Sequence, residues 1–236
     1  MARKGKLTEF QEKELEERPA RIKRYKYLFL IVCEDENTEP EYFKHFKDEI
    51  PEGTIFLKPV GTGRDAKGVV EQAILEKQKL SHEAKKDVDI VWAVFDKDDA
   101  DENATKIKRF QDAFEIAKNN KIETAYSNEV FELWLLLHLT DVDSTIALLR
   151  ATIYDLLQEN IRRNEAYATF EYAHGNASIL PIIYKIGNQD TAISRAEILL
   201  EKQNQKIPIE ANPSTKVHIL VKELLDWIVY FSYQPN

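Results

Sequence analysis

Short, continuous apolar runs in the first half of the chain predict buried β-strands. Residues 27–33 read YLFLIVC, and residues 89–95 contain a second run of the same kind. Runs of this length without a polar alternation are typical of parallel strands that are covered on both faces. Two weaker runs, at residues 54–60 and 122–125, predict two more strands. The pattern predicts a mostly parallel sheet of about four strands.

Apolar residues at helical spacing follow each predicted strand. These segments start near Thr38, Val69, Ala104 and Phe131. Alternation of strands and helices in this order predicts an α/β fold, Rossmann-like in outline, with right-handed crossovers. Beyond about Val142 the strand signal ends, and four helices are predicted at 144–158, 179–186, 191–203 and 213–230. Asn212 and Pro213 are interpreted as the cap and first turn of the last helix.

Three regions follow from this pattern. Residues 1–24 are almost entirely polar and are predicted to be an N-terminal tail. Residues 25–140 form the predicted α/β domain, and residues 141–236 form a helical extension. No linker composition separates the last two regions, so we expect the helices to pack directly on the sheet.

Composition and charge limit the classes of function. No apolar run approaches the roughly 20 residues that cross a bilayer, so we expect a cytoplasmic protein that does not enter a membrane. The net charge of −8 argues against coating of nucleic acid through bulk electrostatics. The basic run at residues 21–26 is compatible with a local contact to nucleic acid, although an exposed segment before the first strand is the simpler interpretation. Cys33 is the single cysteine and is interpreted as a buried strand residue.

Acidic residues follow two of the predicted strands. Glu34 follows the first strand, and Asp96 and Asp98 follow the third. The carboxyl ends of parallel strands meet at one edge of a sheet, where ligands bind. An extended backbone would aim Asp96 and Asp98 to one side, where a divalent cation would relieve their repulsion. Mg²⁺ or Mn²⁺ suits such oxygen ligands. The alternative is that one aspartate caps a helix and the others are solvated.

Three basic residues are candidate contacts for phosphate or nucleic acid. Arg64 and Lys67 belong to a glycine-containing loop after the second strand, and Lys97 lies between the two aspartates. The loop lacks the ending of a Walker motif, and a tight turn is an equally good interpretation. Glu132 is either a carboxylate that complements the dipole of its helix or a further metal ligand. His138 shares the apolar stripe of that helix and is interpreted as a core histidine with a hydrogen-bond partner.

An apolar strand ending in Glu34 and another ending in DKD at residues 96–98 resemble a TOPRIM domain, the metal-dependent module of topoisomerases, primases and several nucleases. Four longer motifs resemble the RloB family, which is associated with bacterial restriction and phage-defence loci and often lies beside ATPase partners. These motifs are IVCEDENTEPEYF at residues 31–43, VFDKD at 94–98, SNEVFELWLLLH at 127–138 and NPSTKV at 212–217. The resemblance extends from about residue 25 to residue 222.

The resemblance implies roles for individual residues. Glu34 would be the general acid or base and a metal ligand, and Asp96 and Asp98 would be catalytic metal ligands; Glu132 is a further candidate ligand on its position alone. The cofactor would be Mg²⁺ or Mn²⁺, and the substrate DNA or RNA. Asp35 stands where the TOPRIM pattern has glycine, which puts the close approach of this loop to a phosphate in question.

Three functions are compatible with the sequence. The first is a metal-dependent nuclease in anti-phage defence. The second is a regulatory or adaptor subunit that binds nucleic acid or an ATPase partner without cleavage, which the acidic composition and Asp35 favour. The third is a sensor of a small nucleotide. A homodimer is compatible with each, and the aromatic residues Tyr167, Phe170, Tyr172 and His174 are interpreted as core or interface packing, with base stacking as the alternative.

Overall fold

Five strands form one sheet in the computed structural model, which describes residues 22–233. The spatial order is β2-β1-β3-β4-β5, in which the first four strands are parallel and β5 pairs antiparallel with β4. Most of the predicted tail, residues 1–21, lies outside the described residues. The strands are β1 (Tyr27–Cys33), β2 (Ile55–Gly61), β3 (Ile90–Asp96), β4 (Glu123–Asn128) and β5 (Ser214–Thr215).

Helices connect the strands and make up most of the second half of the chain. Local caps fix several helix starts, because Asp65, Asn103 and Asn188 each accept hydrogen bonds from backbone N–H groups of the following turn. No helix within residues 22–233 is long and apolar enough to cross a membrane. The α-helices are α1 (Thr38–Lys44), α2 (Ala66–Ala84), α3 (Ala104–Asn119), α4 (Glu132–Leu137), α5 (Arg150–Arg162), α6 (Leu180–Ile186), α7 (Gln189–Lys202) and α8 (Val217–Ser232).

The sheet is covered on both faces, which explains why β1 lacks a polar alternation. Leu28, Leu30 and Val32 face a core shared with α2 and α3. Phe29 and Ile31 face a larger core that includes residues of α1, α4, α5, α6, α7 and α8. Because successive side chains of a strand point to opposite faces, both sets must be apolar. The predicted α/β class, with a mostly parallel sheet flanked by helices, is confirmed.

The C-terminal half differs from the prediction at three points. A fifth strand, β5, is present where the pattern predicts only helices, and Ser127 and Thr215 pair across it with their hydroxyl oxygens 3.0 Å apart. Asn212 and Pro213 precede this strand and do not cap α8, which begins at Val217. The helix predicted from residue 144 begins at Arg150. A two-residue strand carries no periodicity, and the preceding X-Pro pair suits a turn as well as a helix start.

Candidate active site

The carboxyl ends of β1 and β3 are adjacent, and they bring Glu34 and Asp96 together. The backbone N–H of Glu34 donates to the carbonyl of Val94 at 3.0 Å, which continues the β1–β3 ladder by one residue. The side chain of Glu34 then turns toward β3, where its Oε2 accepts a hydrogen bond of 2.9 Å from the backbone N–H of Asp96. The sheet register therefore fixes both acidic residues.

The two carboxylate oxygens of Asp96 have different surroundings. Oδ2 accepts a hydrogen bond of 3.0 Å from the backbone N–H of Phe131, just before α4. Oδ1 is buried and has no hydrogen-bond partner within residues 22–233. A buried carboxylate oxygen without a partner is costly, so this atom is the first candidate for contact with a cation.

Asp98 reaches the same site by a different backbone path than predicted. It has φ of 46°, in the left-handed region, so the backbone after Asp96 is not extended. Its N–H donates to the carbonyl of Glu129 at 3.0 Å, and its Oδ1 lies 3.2 Å from Nη2 of Arg150. Glu34, Asp96 and Asp98 nevertheless line one cavity of about 360 Å³.

Burial and mutual repulsion shift the titration of these acids. The pKa of Glu34 is raised to about 8, chiefly by burial, with Asp98 contributing. Burial also raises the pKa of Asp96 well above its usual range, with the Glu39 and Glu34 carboxylates adding to the effect. The pKa of Asp98 is raised by burial, and Arg150 opposes that rise. Three carboxyl groups that resist ionisation together are a favourable setting for a divalent cation.

Glu39 is a fourth acid of this cluster and was not predicted as a site residue. It lies in the first turn of α1 and is buried, with 1% of its surface exposed. Its Oε2 accepts a hydrogen bond of 3.1 Å from the N–H of Asp35. Burial raises its pKa, and the nearby Glu34 carboxylate adds to this rise. The signal that could have identified Glu39 as a site residue is its position in the first turn of the helix that follows β1.

The loop after β1 accommodates Asp35 without a glycine. Among residues 22–233 the non-glycine residues with positive φ are Lys85, Asp98 and Lys121, so Asp35 has an ordinary backbone conformation. Its Oδ2 accepts a hydrogen bond from the N–H of Thr38 at the start of α1. The loop after β1 packs tightly against Gly61 of β2, where an added Cβ would lie 2.6 Å from the carbonyl oxygen of Asp35.

Glu132 lies beside the acidic cavity but does not line it. It is 4% exposed, and its Oε1 accepts a hydrogen bond from the hydroxyl of Tyr172 and lies 3.6 Å from Nδ1 of His174. Its charge contributes to the raised pKa of both Asp96 and Asp98. The carboxylate of Glu132 therefore contacts Tyr172 and His174, two aromatic residues of the helical half.

The three predicted phosphate contacts have different surroundings. Arg64 lines the cavity, and its side chain makes no hydrogen bond or ion pair with the described part of the chain. Lys67 pairs with Asp112 at 2.9 Å and does not line the cavity. Lys97 lines it but is 5% exposed and pairs with Glu129 at 3.4 Å and Asp101 at 2.8 Å. Arg64 is therefore the best placed of the three to meet a phosphate.

Arg150 and Glu129 were not predicted and connect the helical half to the site. Glu129 is 8% exposed, and its Oε2 accepts a hydrogen bond of 2.8 Å from the N–H of Arg150, the first residue of α5. Its Oε1 pairs with Lys97. The guanidinium of Arg150 in turn reaches Asp98. These contacts join residues distant in sequence, so no local pattern indicates them.

His138 is a core histidine, as its place in the apolar stripe of α4 predicts. It is 6% exposed, and its Nδ1 lies 2.9 Å from the carbonyl oxygen of Trp134. Burial lowers its pKa to about 4. This residue is therefore neutral near pH 7 and packs within the protein.

A larger cavity, of about 650 Å³, opens at the opposite edge of the sheet, beside the amino ends of β3 and β4. Two of its acidic groups have partners there: Glu223 accepts a hydrogen bond of 2.7 Å from Nε1 of Trp92, and Glu197 pairs with Lys222. The buried Nδ1 of His218, which also lines this cavity, has no hydrogen-bond partner within residues 22–233. Among the described residues, the smaller cavity combines a carboxylate oxygen that has no hydrogen-bond partner with an arginine that has no ion pair, so we assign the candidate site to it.

The acidic residues fit a hard divalent cation through their chemistry, although they do not form a closed cage. No group of three or more His, Cys, Asp or Glu side chains within residues 22–233 has the arrangement of a preformed metal site. Mg²⁺ does not require one, because it usually keeps several waters and binds one or two carboxylates plus phosphate oxygens. Asp96, with its unpartnered Oδ1, and Asp98 are the residues best placed to hold it.

The comparison with known families agrees with these motifs. A family model described as RloB-like protein matches residues 29–224. The chain belongs to the RloB-like family. No curated protein and no solved structure matches the chain.

The matched range of this RloB-like protein begins within β1 and ends within α8, so it includes both the sheet and the helical half. Glu34, Asp96 and Asp98 lie within it, as do Glu39 and Arg150. The acidic cavity and its connection to the helical half therefore lie within the matched range.

Proposed function

We propose that this RloB-like protein is a Mg²⁺- or Mn²⁺-dependent nuclease of the TOPRIM type that acts in anti-phage defence. One observation carries the proposal: the buried Oδ1 of Asp96 has no hydrogen-bond partner in residues 22–233 and lies in a site where Glu34 and Asp98 also resist ionisation. A cation relieves that arrangement, and a phosphodiester is the substrate class that such a carboxylate-held cation commonly serves. The defence role rests on the family alone.

The residues have separable duties in this proposal. Asp96 and Asp98 would hold the cation, and Arg64 would contact a phosphate oxygen of the substrate. When bound, the cation would neutralise charge on the transferring phosphate and lower the pKa of a coordinated water. Because the polypeptide carries a net charge of −8, nucleic acid is expected to bind poorly until the acidic site is neutralised.

Glu34 is suited to move a proton. A general base or acid works best when its pKa lies near the working pH. The pKa of Glu34 is raised to about 8, mainly by burial, so both protonation states are populated near neutral pH. Its carboxylate is also fixed in place by the N–H of Asp96. Glu34 would accept a proton from the attacking water and return one to the leaving oxygen.

The test is cleavage of plasmid DNA, single-stranded DNA and total tRNA by the purified protein with Mg²⁺ or Mn²⁺. Asp96→Asn and Glu34→Gln preserve the shape of the two side chains and one acceptor oxygen in each, and they remove the negative charge. Asp87→Asn is the matched control, since Asp87 is exposed and precedes the opposite end of β3. We expect metal-dependent cleavage that both site variants lose and the control retains.

Two results would contradict the nuclease proposal. Full activity in Asp96→Asn and Glu34→Gln would place the chemistry elsewhere or in a contaminant. Absence of cleavage on every substrate, with the wild-type protein folded and metal bound, would favour a regulatory subunit. In that case a change in the turnover of an associated ATPase, on addition of this protein, would identify the adaptor function.

A further inference from the structure

An aromatic stack lies at the rim of the acidic site. The rings of Tyr154 and His174 stack with centroids 5.7 Å apart and an interplanar angle of 29°, and the Tyr154 hydroxyl lies 3.1 Å from Nδ1 of His174. Tyr172 packs on the same Tyr154, with centroids 4.8 Å apart. Tyr154 belongs to α5, whereas Tyr172 and His174 belong to the segment that follows it.

The stack is connected to the acidic site through Glu132. The Tyr172 hydroxyl donates to Glu132, and His174 lies 3.6 Å from the same carboxylate. Glu132 immediately follows Phe131, whose N–H binds Asp96. A nucleotide whose phosphate lies at Asp96 would therefore have this stack as a neighbour.

The segment that carries the stack is held in place by α5. The N–H of Tyr172 donates to Oε1 of Gln158 at 2.9 Å, and Nε of Arg162 donates to the carbonyl of Phe170 at 2.6 Å. These two contacts hold residues 170–172 against α5. The outer ring is thus presented from an anchored backbone, which lowers the entropy cost of binding a ligand.

Internal packing explains Tyr172 but not His174. Tyr172 is partly buried against the main core. The side chain of His174 is 69% exposed, although it lies at the end of an ordered ring stack. An exposed aromatic ring held nearly parallel to a neighbouring ring offers a face on which an unpaired base can stack.

A cationic group adjoins the stack on the same helix. Arg150 lies four residues before Tyr154 on α5, so the two side chains share one face of the helix. Its guanidinium is 45% exposed and bridges to Asp98, which lines the acidic cavity. Arginine at this position can contact a backbone phosphate while the attached base lies on the ring of His174.

We propose that His174, stacked on Tyr154, is a platform for an unpaired base, and hence that the nucleic acid is single-stranded where it enters the acidic site. The inference rests on the proposed function for the position of the phosphate and goes beyond it in naming the substrate class. Bases within a duplex already stack on each other, so only an unpaired or splayed base can use the exposed ring.

The test measures binding separately from cleavage. Fluorescence anisotropy compares a labelled single-stranded oligonucleotide, in DNA and RNA forms, with a blunt duplex of the same sequence. The protein carries Glu34→Gln, which is expected to prevent cleavage and leaves the proposed metal ligands Asp96 and Asp98 in place, and Mg²⁺ is present. His174→Leu removes the aromatic face, His174→Phe restores it, and His82→Leu is the control, since His82 is exposed near the far end of α2.

We expect the single strand to bind more tightly than the duplex and His174→Leu to weaken single-strand binding about five- to a hundredfold, the range for loss of one base–aromatic stack. His174→Phe should bind like the parent, and His82→Leu should change nothing. A 2-aminopurine base should be quenched on binding, and the quenching should be lost in His174→Leu. Equal affinity for duplex and single strand, or an unchanged affinity in His174→Leu, would overturn the platform.

The two proposals fail in different ways. If the wild-type protein cleaves nucleic acid but His174→Leu leaves binding and quenching unchanged, the platform is wrong and the nuclease stands. If nothing is cleaved but single-strand binding depends on His174 as described, the platform stands and the nuclease is wrong.

Discussion

The carboxylate of Glu34 accepts a hydrogen bond from the backbone N–H of Asp96, so an acidic side chain on one strand is fixed by the main chain of its neighbour. The same bond that positions Glu34 brings it beside the Asp96 carboxylate, and the charge of Glu34 helps to raise the pKa of Asp96. The site is therefore well ordered and electrostatically unfavourable at the same time. Several measurable properties follow from that combination.

The first prediction concerns pH and stability without metal. The pKa of Glu34 is raised from 4.5 to about 8 on folding. The folded state therefore holds a proton that the unfolded state releases above pH 4.5, and stability falls as pH rises from 4.5 to 8. Glu34→Gln removes this loss. At about pH 8.5, just above the raised pKa, we expect the variant to melt several degrees higher than the wild-type protein. Near pH 4.5, we expect the two proteins to melt at similar temperatures. Equal melting differences at the two pH values would contradict the raised pKa.

The second prediction concerns metal binding. A ligand that binds only the folded state stabilises it, by roughly 2.7 kcal/mol when it is present at about a hundred times its Kd. We expect Mg²⁺ or Mn²⁺ to raise the melting temperature of the wild-type protein at neutral pH and to have a much smaller effect on Asp96→Asn. Calorimetry with Asp87→Asn provides the control. A metal effect of equal size in Asp96→Asn would show that the cation binds elsewhere.

The third prediction concerns the contact between the loops after β1 and β2. A Cβ at Gly61 would lie 2.6 Å from both the carbonyl oxygen of Asp35 and Cα of Glu36, which are backbone atoms and must shift. We expect Gly61→Ala to destabilise the protein by about 1–3 kcal/mol and to displace the segment that carries Glu34, with loss of cleavage.

Gly53→Ala is the matched control for this change. Gly53 has φ of +72°, and nothing lies within 4 Å of an added Cβ. Its substitution should cost roughly 1–2 kcal/mol through backbone strain alone. Urea unfolding and cleavage are measured on both variants. If both lose cleavage in proportion to stability, the contact at Gly61 has no specific role in positioning Glu34.

The fourth prediction concerns acid stability. The pKa of His138 is lowered by burial from 6.5 to about 4. The unfolded state takes up a proton below pH 6.5 that the folded state refuses, so stability present above that pH is lost as pH falls toward 4, by up to roughly 3 kcal/mol. His138→Gln should flatten this decline. His218 has a similar shift and keeps about half of this histidine contribution, whereas the raised pKa of Glu34 acts in the opposite direction over the same pH range. The informative quantity is therefore the stability difference between His138→Gln and wild type, measured by urea unfolding at pH 7 and pH 5 (roughly either side of the free value). The difference should shift in favour of the variant as pH falls, and an unchanged difference would contradict the assignment.

The sequence predicted the parts of the fold that depend on local pattern. The apolar run of β1 identifies a strand covered on both faces, because each face of the sheet requires its own apolar set. The positions of Glu34 and Asp96 after strands identify the edge of the sheet where they meet. Strand β5 was missed because two residues carry no periodicity, and its place is set by pairing with β4.

Residues that act through long-range contacts could not be predicted in the same way. Lys97 was predicted to meet phosphate because it is a cation between two aspartates, but Glu129 and Asp101 pair with it and it is buried. Arg150 looked like an ordinary helix residue, since its partner Asp98 is far away in sequence. Charge at a position is visible in a sequence, whereas the partner that neutralises it is a property of the fold.

The contacts of Glu129 determine which parts of the chain must stay together when the protein is truncated or fused to another. A fragment that ends near residue 140 keeps Glu34, Asp96 and Asp98, but it loses the N–H of Arg150 that binds Glu129 and the guanidinium that faces Asp98. The acidic site is therefore not transferable with the strands alone. A chimaera that joins this sheet to the helices of another protein needs an arginine at the first position of the helix that replaces α5.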